Sequence, residues 1–341
     1  MIRNYNMFVG GYGSKTEEAI HYVRFDSEQQ SFHKLDAITG IDAPSFLALH
    51  PDQNNLYAVS EVEEGELVSY QVGDQLIETS RIKTGGSSPC YLHITDDGRY
   101  SIVTNYGDGK LSLHPLEEDG KVQLQADLHL FQKSGEASHP HMCYPLGYDH
   151  MYIVTDLGQN KLFLFQLQSD HQQLELQASF PLKDGSGPRH IEVNKAKNCL
   201  YITNEFSSVV AVYHFNKSFT NLQLAQEIPT IPPDEVQDNF CADIHFSPDK
   251  SLLFVSNRGR DSIVVYRVQA DGRLRFVDEA AALGEWPRHF AISPDGEYLF
   301  IANQHSDRIT VLRVQADGRL QALACHYKIA SPACVVMFRQ G

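Results

Sequence analysis

The chain has 341 residues, 42% of them hydrophobic, and 28 Lys and Arg against 43 Asp and Glu give it a formal charge of −15. This is the composition of a soluble globular protein. The acidic balance excludes a binder of the nucleic-acid backbone, and the absence of a long uninterrupted apolar stretch excludes a membrane-spanning helix. The N-terminus lacks the basic head and long apolar segment of a secretion signal, so we expect a cytoplasmic protein.

The cysteines are scattered and form no C-x-x-C pair, which argues against both a zinc site and a disulfide framework in a chain of this size. We expect all of them to be reduced and to act as small apolar side chains. They are Cys90, Cys143, Cys199, Cys241, Cys325 and Cys334.

The first predicted elements are three short strands at residues 7–11, 20–25 and 31–37. From residue 44 onward a longer pattern repeats: an apolar strand, a turn, a second apolar run that usually ends in Asn, and two further strands. Asp-Gly pairs mark several of the turns. The copies begin at Pro44, Pro89, Pro140, Pro188, Cys241, Pro287 and Pro332, between 45 and 53 residues apart.

Two further landmarks keep the same register. Ser-Pro-Asp occurs at 247 and again at 293, and Val-Gln-Ala-Asp-Gly-Arg-Leu occurs at 268 and again at 314, so both repeat after 46 residues. Four-stranded units of this period predict the blades of a β-propeller, because one blade cannot bury both of its faces alone.

The last copy begins at Pro332 and has room for only one strand. The three strands at the N-terminus supply its missing partners, which would remove the open edge of the ring. The sequence therefore predicts an all-β, seven-bladed β-propeller formed by residues 1–341 as a single domain, with N- and C-terminal strands sharing the last blade.

In such a ring the start of each first strand and the end of each second strand meet at one face. Two rings of residues should therefore surround one mouth. The first ring is Ser45-Phe46, Cys90-Tyr91, His141-Met142, Arg189-His190, Ala242-Asp243, Arg288-His289 and Ala333-Cys334. The second ring is Ser60-Glu61, Asn105-Tyr106, Asp156-Leu157, Asn204-Glu205, Asn257-Arg258, Asn303-Gln304 and Gly10-Gly11.

Cationic and imidazole groups at this mouth, inside an acidic protein, favour a small anionic ligand. We expect His141, Arg189, Glu205 and Arg258 to be catalytic, because equivalent positions in other blades hold small or neutral residues. Further candidates for substrate binding are His190, Asn204, Asn257, Arg288 and His289. Adjacent strand residues point to opposite sides, so we expect Arg189 to face the ligand and His190 to lie between blades. For the Asn residues, turn formation is the more frequent role.

At these residues the sequence resembles the seven-bladed lactonase family, which includes cycloisomerase-type 6-phosphogluconolactonases and carboxy-cis,cis-muconate cyclases. The most specific pieces are His139-Pro-His141, Gly187-Pro-Arg-His190, Asn204-Glu205 and Asn257-Arg-Gly259, together with the Ser-Pro-Asp turns. The resemblance covers essentially the whole chain. It implies hydrolysis of a sugar lactone, with 6-phosphogluconolactone as the implied substrate. A muconate-type cycloisomerase and a non-catalytic binding scaffold are the alternatives.

We expect general acid–base catalysis without a cofactor, in which Glu205 or His141 activates water and the other donates a proton. Arg189 would face the oxyanion and Arg258 would hold a phosphate or carboxylate. A calcium site is the competing possibility, with Glu61, Asp156, Asn204 and Asn257 as candidate ligands, but the neighbouring arginines disfavour it. We expect a small sugar-lactone partner, no nucleic acid or membrane, and a monomer or a weak homo-oligomer.

Overall fold

The computed structural model describes residues 4–131, 137–216, 218–235 and 238–338. In these ranges 28 strands form seven antiparallel sheets of four strands each. Short 3₁₀ turns occur at Pro233–Glu235 and Gln304–Ser306. No helix in the described part of the chain has the length and apolar character needed to cross a membrane.

Blades 1 to 4 follow one another along the chain, and in each blade the first strand is innermost. Blade 1 contains β4 (Phe46–Leu49), β5 (Asn55–Ser60), β6 (Glu66–Gln71) and β7 (Ile77–Lys83). Blade 2 contains β8 (Pro89–Ile94), β9 (Tyr100–Asn105), β10 (Lys110–Pro115) and β11 (Asp127–Leu130). Blade 3 contains β12 (Pro140–Pro145), β13 (Met151–Asp156), β14 (Lys161–Gln168) and β15 (Gln173–Pro181). Blade 4 contains β16 (Pro188–Asn194), β17 (Cys199–Asn204), β18 (Val209–Phe215) and β19 (Leu222–Pro229).

The remaining blades complete the ring. Blade 5 contains β20 (Phe240–Phe246), β21 (Leu252–Arg258), β22 (Ser262–Val268) and β23 (Leu274–Ala281). Blade 6 contains β24 (Pro287–Ile292), β25 (Tyr298–Asn303), β26 (Arg308–Val314) and β27 (Leu320–Lys328). Blade 7 contains β28 (Pro332–Phe338), β1 (Asn4–Gly11), β2 (Ile20–Asp26) and β3 (Ser31–Ile38).

The termini close the ring in blade 7. Strand β28 pairs antiparallel with β1, so that Phe8 lies opposite Val336 and Gly10 opposite Cys334. The innermost strands also contact one another in sequence around the axis, from β4 to β8 and onward to β24, β28 and back to β4. The predicted seven-bladed propeller with a shared last blade is confirmed.

The hydrophobic core is divided into seven clusters, one between each pair of adjoining blades. Between blades 4 and 5, for example, Tyr201 and Val210 pack against Leu253 and Val255, and all four side chains are buried. Since the middle strands of a blade alternate their side chains between its two faces, each blade contributes to two clusters. No blade can therefore bury its apolar residues without both neighbours.

The Ser-Pro-Asp turns join the first and second strands of blades 5 and 6. Ser247 Oγ donates to Asp249 Oδ1 at 2.6 Å, and Ser293 Oγ donates to Asp295 Oδ1 at 2.7 Å. The second oxygen of Asp295 accepts a hydrogen bond from the Tyr5 hydroxyl of blade 7 at 2.6 Å. These turns therefore fix the strand connection and, at Asp295, also link neighbouring blades.

The innermost strands of blades 2 to 7 have a shift of register after their first or second residue. In blade 3, Pro140 pairs with Asp156 and Met142 with Thr155, so His141 has no direct partner in β13. In blade 6, Arg288 occupies the same extra position. Bulges of this kind redirect side chains and are frequent beside functional sites.

Candidate active site

A cavity of about 220 Å³ lies at the end of the ring where first strands begin and second strands end. It is smaller than the usual range of about 300–1,000 Å³ for pockets that hold drug-sized ligands, so it suits a small guest. The residues that line it are Glu61, Cys90, Tyr106, His141, Arg189, Glu205, Arg258 and Arg288. All four residues expected to be catalytic are therefore brought together, and Arg288 joins them.

The register shifts explain how the first strands supply the cavity. Cys90, His141, Arg189 and Arg288 each lie within the shifted segment of their strand. Hydroxyl groups near the end of the second strands form hydrogen bonds with backbone atoms that have no partner in the sheet. Thr155 Oγ1, for example, donates to the carbonyl of Arg189 at 2.7 Å. The backbone that carries the cavity residues is thus held by side chains instead of ladder hydrogen bonds.

Glu205 is the carboxylate shared by two arginines. Its Oε2 lies 3.1 Å from Arg189 Nε and 2.8 Å from Arg258 Nη2. Arg189 also donates to the carbonyl of Ala242 at 2.7 Å, and Arg258 to that of Cys241 at 3.2 Å. Burial, together with Arg258 and Arg288, lowers the pKa of Arg189 to about 9, which leaves it cationic at neutral pH.

Arg288 belongs to blade 6, and its guanidinium group is held in a different way from those of Arg189 and Arg258. Its guanidinium carbon is 5.2 Å from the ring centroid of Tyr12, within the range of a cation–π contact. The Tyr12 hydroxyl in turn donates to Glu61 Oε2 at 2.9 Å. Within the described ranges, the Arg288 guanidinium forms no hydrogen bond or ion pair with another residue, so its N–H groups are available to a ligand.

His141 presents a neutral imidazole to the cavity. Burial lowers its pKa well below the usual value, and the positive charge of Arg189 lowers it further. The ring is in edge-to-face contact with Tyr106, with centroids 5.9 Å apart. Cys90 also lines the cavity, but burial raises its pKa to about 12, so it is a thiol and a poor nucleophile at neutral pH.

His190 and His289, two of the residues proposed to bind substrate, lie outside the lining of the cavity. His190 Nδ1 is 2.7 Å from Asp243 Oδ1, and His289 Nε2 is 3.5 Å from Asp243 Oδ2. Asp243 belongs to blade 5, whereas the two histidines belong to blades 4 and 6. These side chains therefore form a polar layer between blades, and Arg189, not its neighbour, reaches the cavity.

Asn204 and Asn257 also lie outside the lining. Asn257 Nδ2 donates to the carbonyl of Thr230 at 3.1 Å, which ties the end of its strand to an incoming loop. Asp156, another candidate calcium ligand, accepts hydrogen bonds from the hydroxyl of Ser138 and the backbone N–H of His139. The four candidate calcium ligands therefore do not share one site.

The three side chains Asp243, His245 and His289 have potential ligand atoms within 4.8 Å of one another. Their hydrogen bonds account for this proximity without a cation. Asp243 Oδ2 accepts from His245 Nε2 at 3.0 Å and from the backbone N–H of Phe290 at 3.1 Å. The backbone N–H of Val335 donates to His289 Nδ1, which leaves the ring proton on Nε2, the nitrogen that faces Asp243. This arrangement does not fit a metal ligand set.

Sequence reasoning placed Glu61, Cys90 and Tyr106 in the two rings but did not select them to bind substrate, and considered Glu61 only as a candidate calcium ligand. A signal was present, because every lining residue is the first of its pair in the first ring or the second of its pair in the second ring. Tyr12 was not named, and Asp243 was placed in the first ring without a role. Their contacts come from other blades, which the repeat does not reveal.

Comparison with known proteins agrees with the seven-bladed fold. Residues 6–337 match the family model described as "Lactonase, 7-bladed beta-propeller". A 6-phosphogluconolactonase of Bacillus subtilis is 28% identical over 296 residues, with 83% of each chain covered. A 6-phosphogluconolactonase of Formosa agariphila is 30% identical, covering 84% of this chain and 86% of the relative.

Solved structures give the same result. A putative 6-phosphogluconolactonase from Bacteroides fragilis superposes with a TM-score of 0.89 at 25% identity, covering 99% of this chain and 98% of the other. The periplasmic gluconolactonase PpgL of Pseudomonas aeruginosa superposes with a TM-score of 0.92 at 28% identity, covering 98% and 99%. The chain therefore belongs to the seven-bladed β-propeller lactonase family.

Proposed function

We propose that this protein hydrolyses 6-phosphogluconolactone to 6-phosphogluconate by general acid–base catalysis that needs no metal. The observation that carries the proposal is the convergence of His141, Arg189, Glu205 and Arg258 on one small cavity. Family membership supports a lactone hydrolase, and relatives named 6-phosphogluconolactonase support the phosphorylated substrate.

His141 is the better of the two candidate bases. Glu205 Oε2 is already engaged by the guanidinium groups of Arg189 and Arg258, so that oxygen is occupied by ion pairs. His141 is kept neutral by burial and by the arginines, so its ring has a lone pair to accept a proton from water. The imidazolium that forms is a strong acid and can return the proton to the ring oxygen that leaves.

Arg189 and Arg258 are the groups proposed to stabilise the oxyanion of the tetrahedral intermediate. Both are fixed by Glu205 and by backbone carbonyls, so little reorganisation is needed when charge develops. Glu205 therefore has an orienting role in this mechanism.

Arg288 is the group proposed to bind the phosphate. Sequence reasoning assigned this role to Arg258, but Arg258 is committed to Glu205, whereas the Arg288 guanidinium has its hydrogen-bond donors free among the described residues. Arg288 belongs to blade 6 and His141 to blade 3, on opposite sides of a ring of seven. A phosphate at Arg288 would therefore lie at the end of the sugar remote from the reacting carbonyl.

The test is hydrolysis of freshly generated 6-phosphogluconolactone, followed as acid release above the spontaneous rate, with glucono-δ-lactone in parallel and a chelator in duplicate reactions. We expect turnover of the phosphorylated lactone that the chelator does not change. His141→Gln should lower kcat by about 100-fold or more, the usual contribution of a general base. His214→Gln, which replaces an exposed histidine of β18, is the matched control. A wild-type rate equal to that of buffer would refute the proposal.

A further inference from the structure

Two buried ring nitrogens near the cavity have no hydrogen-bond partner among the described residues: His141 Nδ1 and His190 Nε2. The two rings are in edge-to-face contact, with centroids 5.0 Å apart and planes at 68°. An unsatisfied buried polar atom destabilises the folded protein, so two on touching rings call for an explanation.

The proton position on His190 follows from Asp243. An ionised carboxylate can only accept hydrogen bonds, and Asp243 Oδ1 lies 2.7 Å from His190 Nδ1. Burial acts to raise the pKa of Asp243, but His245 and His289 outweigh it and hold the pKa well below its usual value. His190 therefore carries its proton on Nδ1 and has a bare lone pair at Nε2.

Asp243 is held rigidly for this task. Its Oδ1 also accepts from the backbone N–H of Ile244 at 3.0 Å, and its Oδ2 accepts from His245 and from the backbone N–H of Phe290. Because these donors come from blades 5 and 6, the carboxylate cannot rotate without breaking several hydrogen bonds. The orientation of the His190 ring is thereby fixed by the scaffold.

The bare Nε2 of His190 favours one tautomer of its neighbour. If His141 carried its proton on Nε2, two lone pairs would remain buried on contacting rings; with the proton on Nδ1, the two unpartnered buried nitrogens would be one donor and one acceptor. We propose that the Asp243–His190 pair is a positioning unit that holds His141 as the Nδ1–H tautomer, with the lone pair of Nε2 directed to the cavity. This proposal rests on the proposed function, because it explains how His141 can act as the base.

Other groups around the two rings are consistent with a neutral pair. Arg189, Arg258 and Arg288 surround His141 and disfavour a second proton on it, and Tyr106 contacts its ring edge. His190 has Tyr91 on its other side, with centroids 5.8 Å apart. None of these neighbours is assigned a hydrogen bond to His141 Nδ1 or His190 Nε2 in the described structure.

The direct test is long-range ¹H–¹⁵N NMR of histidine-labelled protein, in which His141→Gln identifies the signals. We expect the wild type at neutral pH to show His141 protonated on Nδ1 and bare on Nε2. His190→Phe, which keeps a ring against His141 but removes the acceptor, should abolish that preference. Observation of the Nε2–H tautomer of His141 in the wild type would overturn the proposal.

The kinetic test compares two Asp→Asn variants, each at a carboxylate that links neighbouring blades. Asp243→Asn should lower kcat by about 100-fold while KM changes by less than about threefold, because the base is misprotonated and the substrate contacts remain. Asp295→Asn alters a carboxylate that links blades 6 and 7 through the Tyr5 hydroxyl, in a turn at the opposite end of its strands from the cavity, so it should leave kcat within about twofold. Equal kcat losses in the two variants would mean that Asp243 has only a structural role.

The NMR result and the kinetic result separate two kinds of failure. A protein with the expected tautomer but no lactone hydrolysis would contradict the proposed function and leave the positioning unit standing. A lactone hydrolase whose kcat survives Asp243→Asn would contradict the positioning unit alone. If Asp243→Asn fails to fold, the wild-type tautomer and the His190→Phe variant still decide the question.

Discussion

One histidine in the polar layer between blades should stabilise this protein less as pH rises above about 6.5, the usual pKa of histidine. Burial acts to lower the pKa of His245, but the carboxylates of Asp243 and Glu192 outweigh it and raise the pKa to about 10. His245 Nε2 lies 3.0 Å from Asp243 Oδ2 and Nδ1 lies 3.4 Å from Glu192 Oε1. The folded protein therefore keeps a proton that the unfolded chain releases.

The sign and size follow from linkage between protonation and folding. A pKa raised by folding gives stability that is complete below the unfolded pKa of about 6.5 and is lost as pH rises toward the folded pKa. One retained proton would cost about 1.4 kcal/mol per pH unit. Because 31% of the His245 side chain is accessible to solvent, we halve that figure. We expect the contribution of His245 to the free energy of unfolding to fall by about 1–1.5 kcal/mol between about pH 6.5 and pH 8.5.

The assay is urea unfolding of the wild type and of His245→Gln at several pH values in that window. The upper limit avoids the range above about pH 8.5, in which buried thiols such as Cys143 would ionise only in the unfolded chain. The difference in the free energy of unfolding between the wild type and His245→Gln should fall by that amount across the window, whereas the difference between the wild type and His214→Gln, on an exposed part of β18, should stay constant. Parallel curves for wild type and His245→Gln, or an NMR titration of His245 near its ordinary pKa, would refute the reasoning.

Three other predictions concern the site and the ring. Burial and Arg189 lower the pKa of His141. We therefore expect kcat/KM to stay level as pH falls through about 6.5, the usual pKa of histidine, and to decline only well below it. A decline centred at about 6.5 would contradict His141 as the base. Glu205→Gln should lower the free energy of unfolding by about 3 kcal/mol, measured in urea, because two buried guanidinium groups lose their counter-charge; an unchanged midpoint would show that solvent compensates them. Deletion of residues 332–341 should remove the cooperative thermal transition, since β1 would become an open edge; a retained transition near the wild-type temperature would mean that the ring closes without β28.

The fold could be predicted because each blade repeats the same local signals. Ser247-Pro-Asp249 forms the expected hydrogen-bonded turn, and the incomplete last copy at Pro332 finds its partner strand at the N-terminus. These features depend on short stretches of sequence and on one geometric fact, that a ring of sheets must close.

The site could be predicted only in part. The two rings of residues meet at one end of the propeller around the cavity, as predicted, because strand ends are fixed by the repeat. Side-chain contacts between blades were not accessible in the same way: Tyr12 fixes Glu61 and stacks on Arg288, yet the three residues belong to blades 7, 1 and 6. Alternation along a strand predicted that His190 turns away from the ligand, but gave no reason to look for Asp243 beneath it.

In the register-shifted segments of the innermost strands, the side chains that can line the cavity belong to residues without a direct partner in the sheet. The strand pairing that closes the ring therefore does not depend on them. Ala242 and Ala333 lie in such segments and have side chains too short to contribute to the lining. A larger residue at either position would enter the space at the axis while the flanking ladder hydrogen bonds stayed in place. Substitutions at these positions can thus change the size and charge of the ligand that the cavity accepts, one blade at a time, without altering the strand pairing of the propeller.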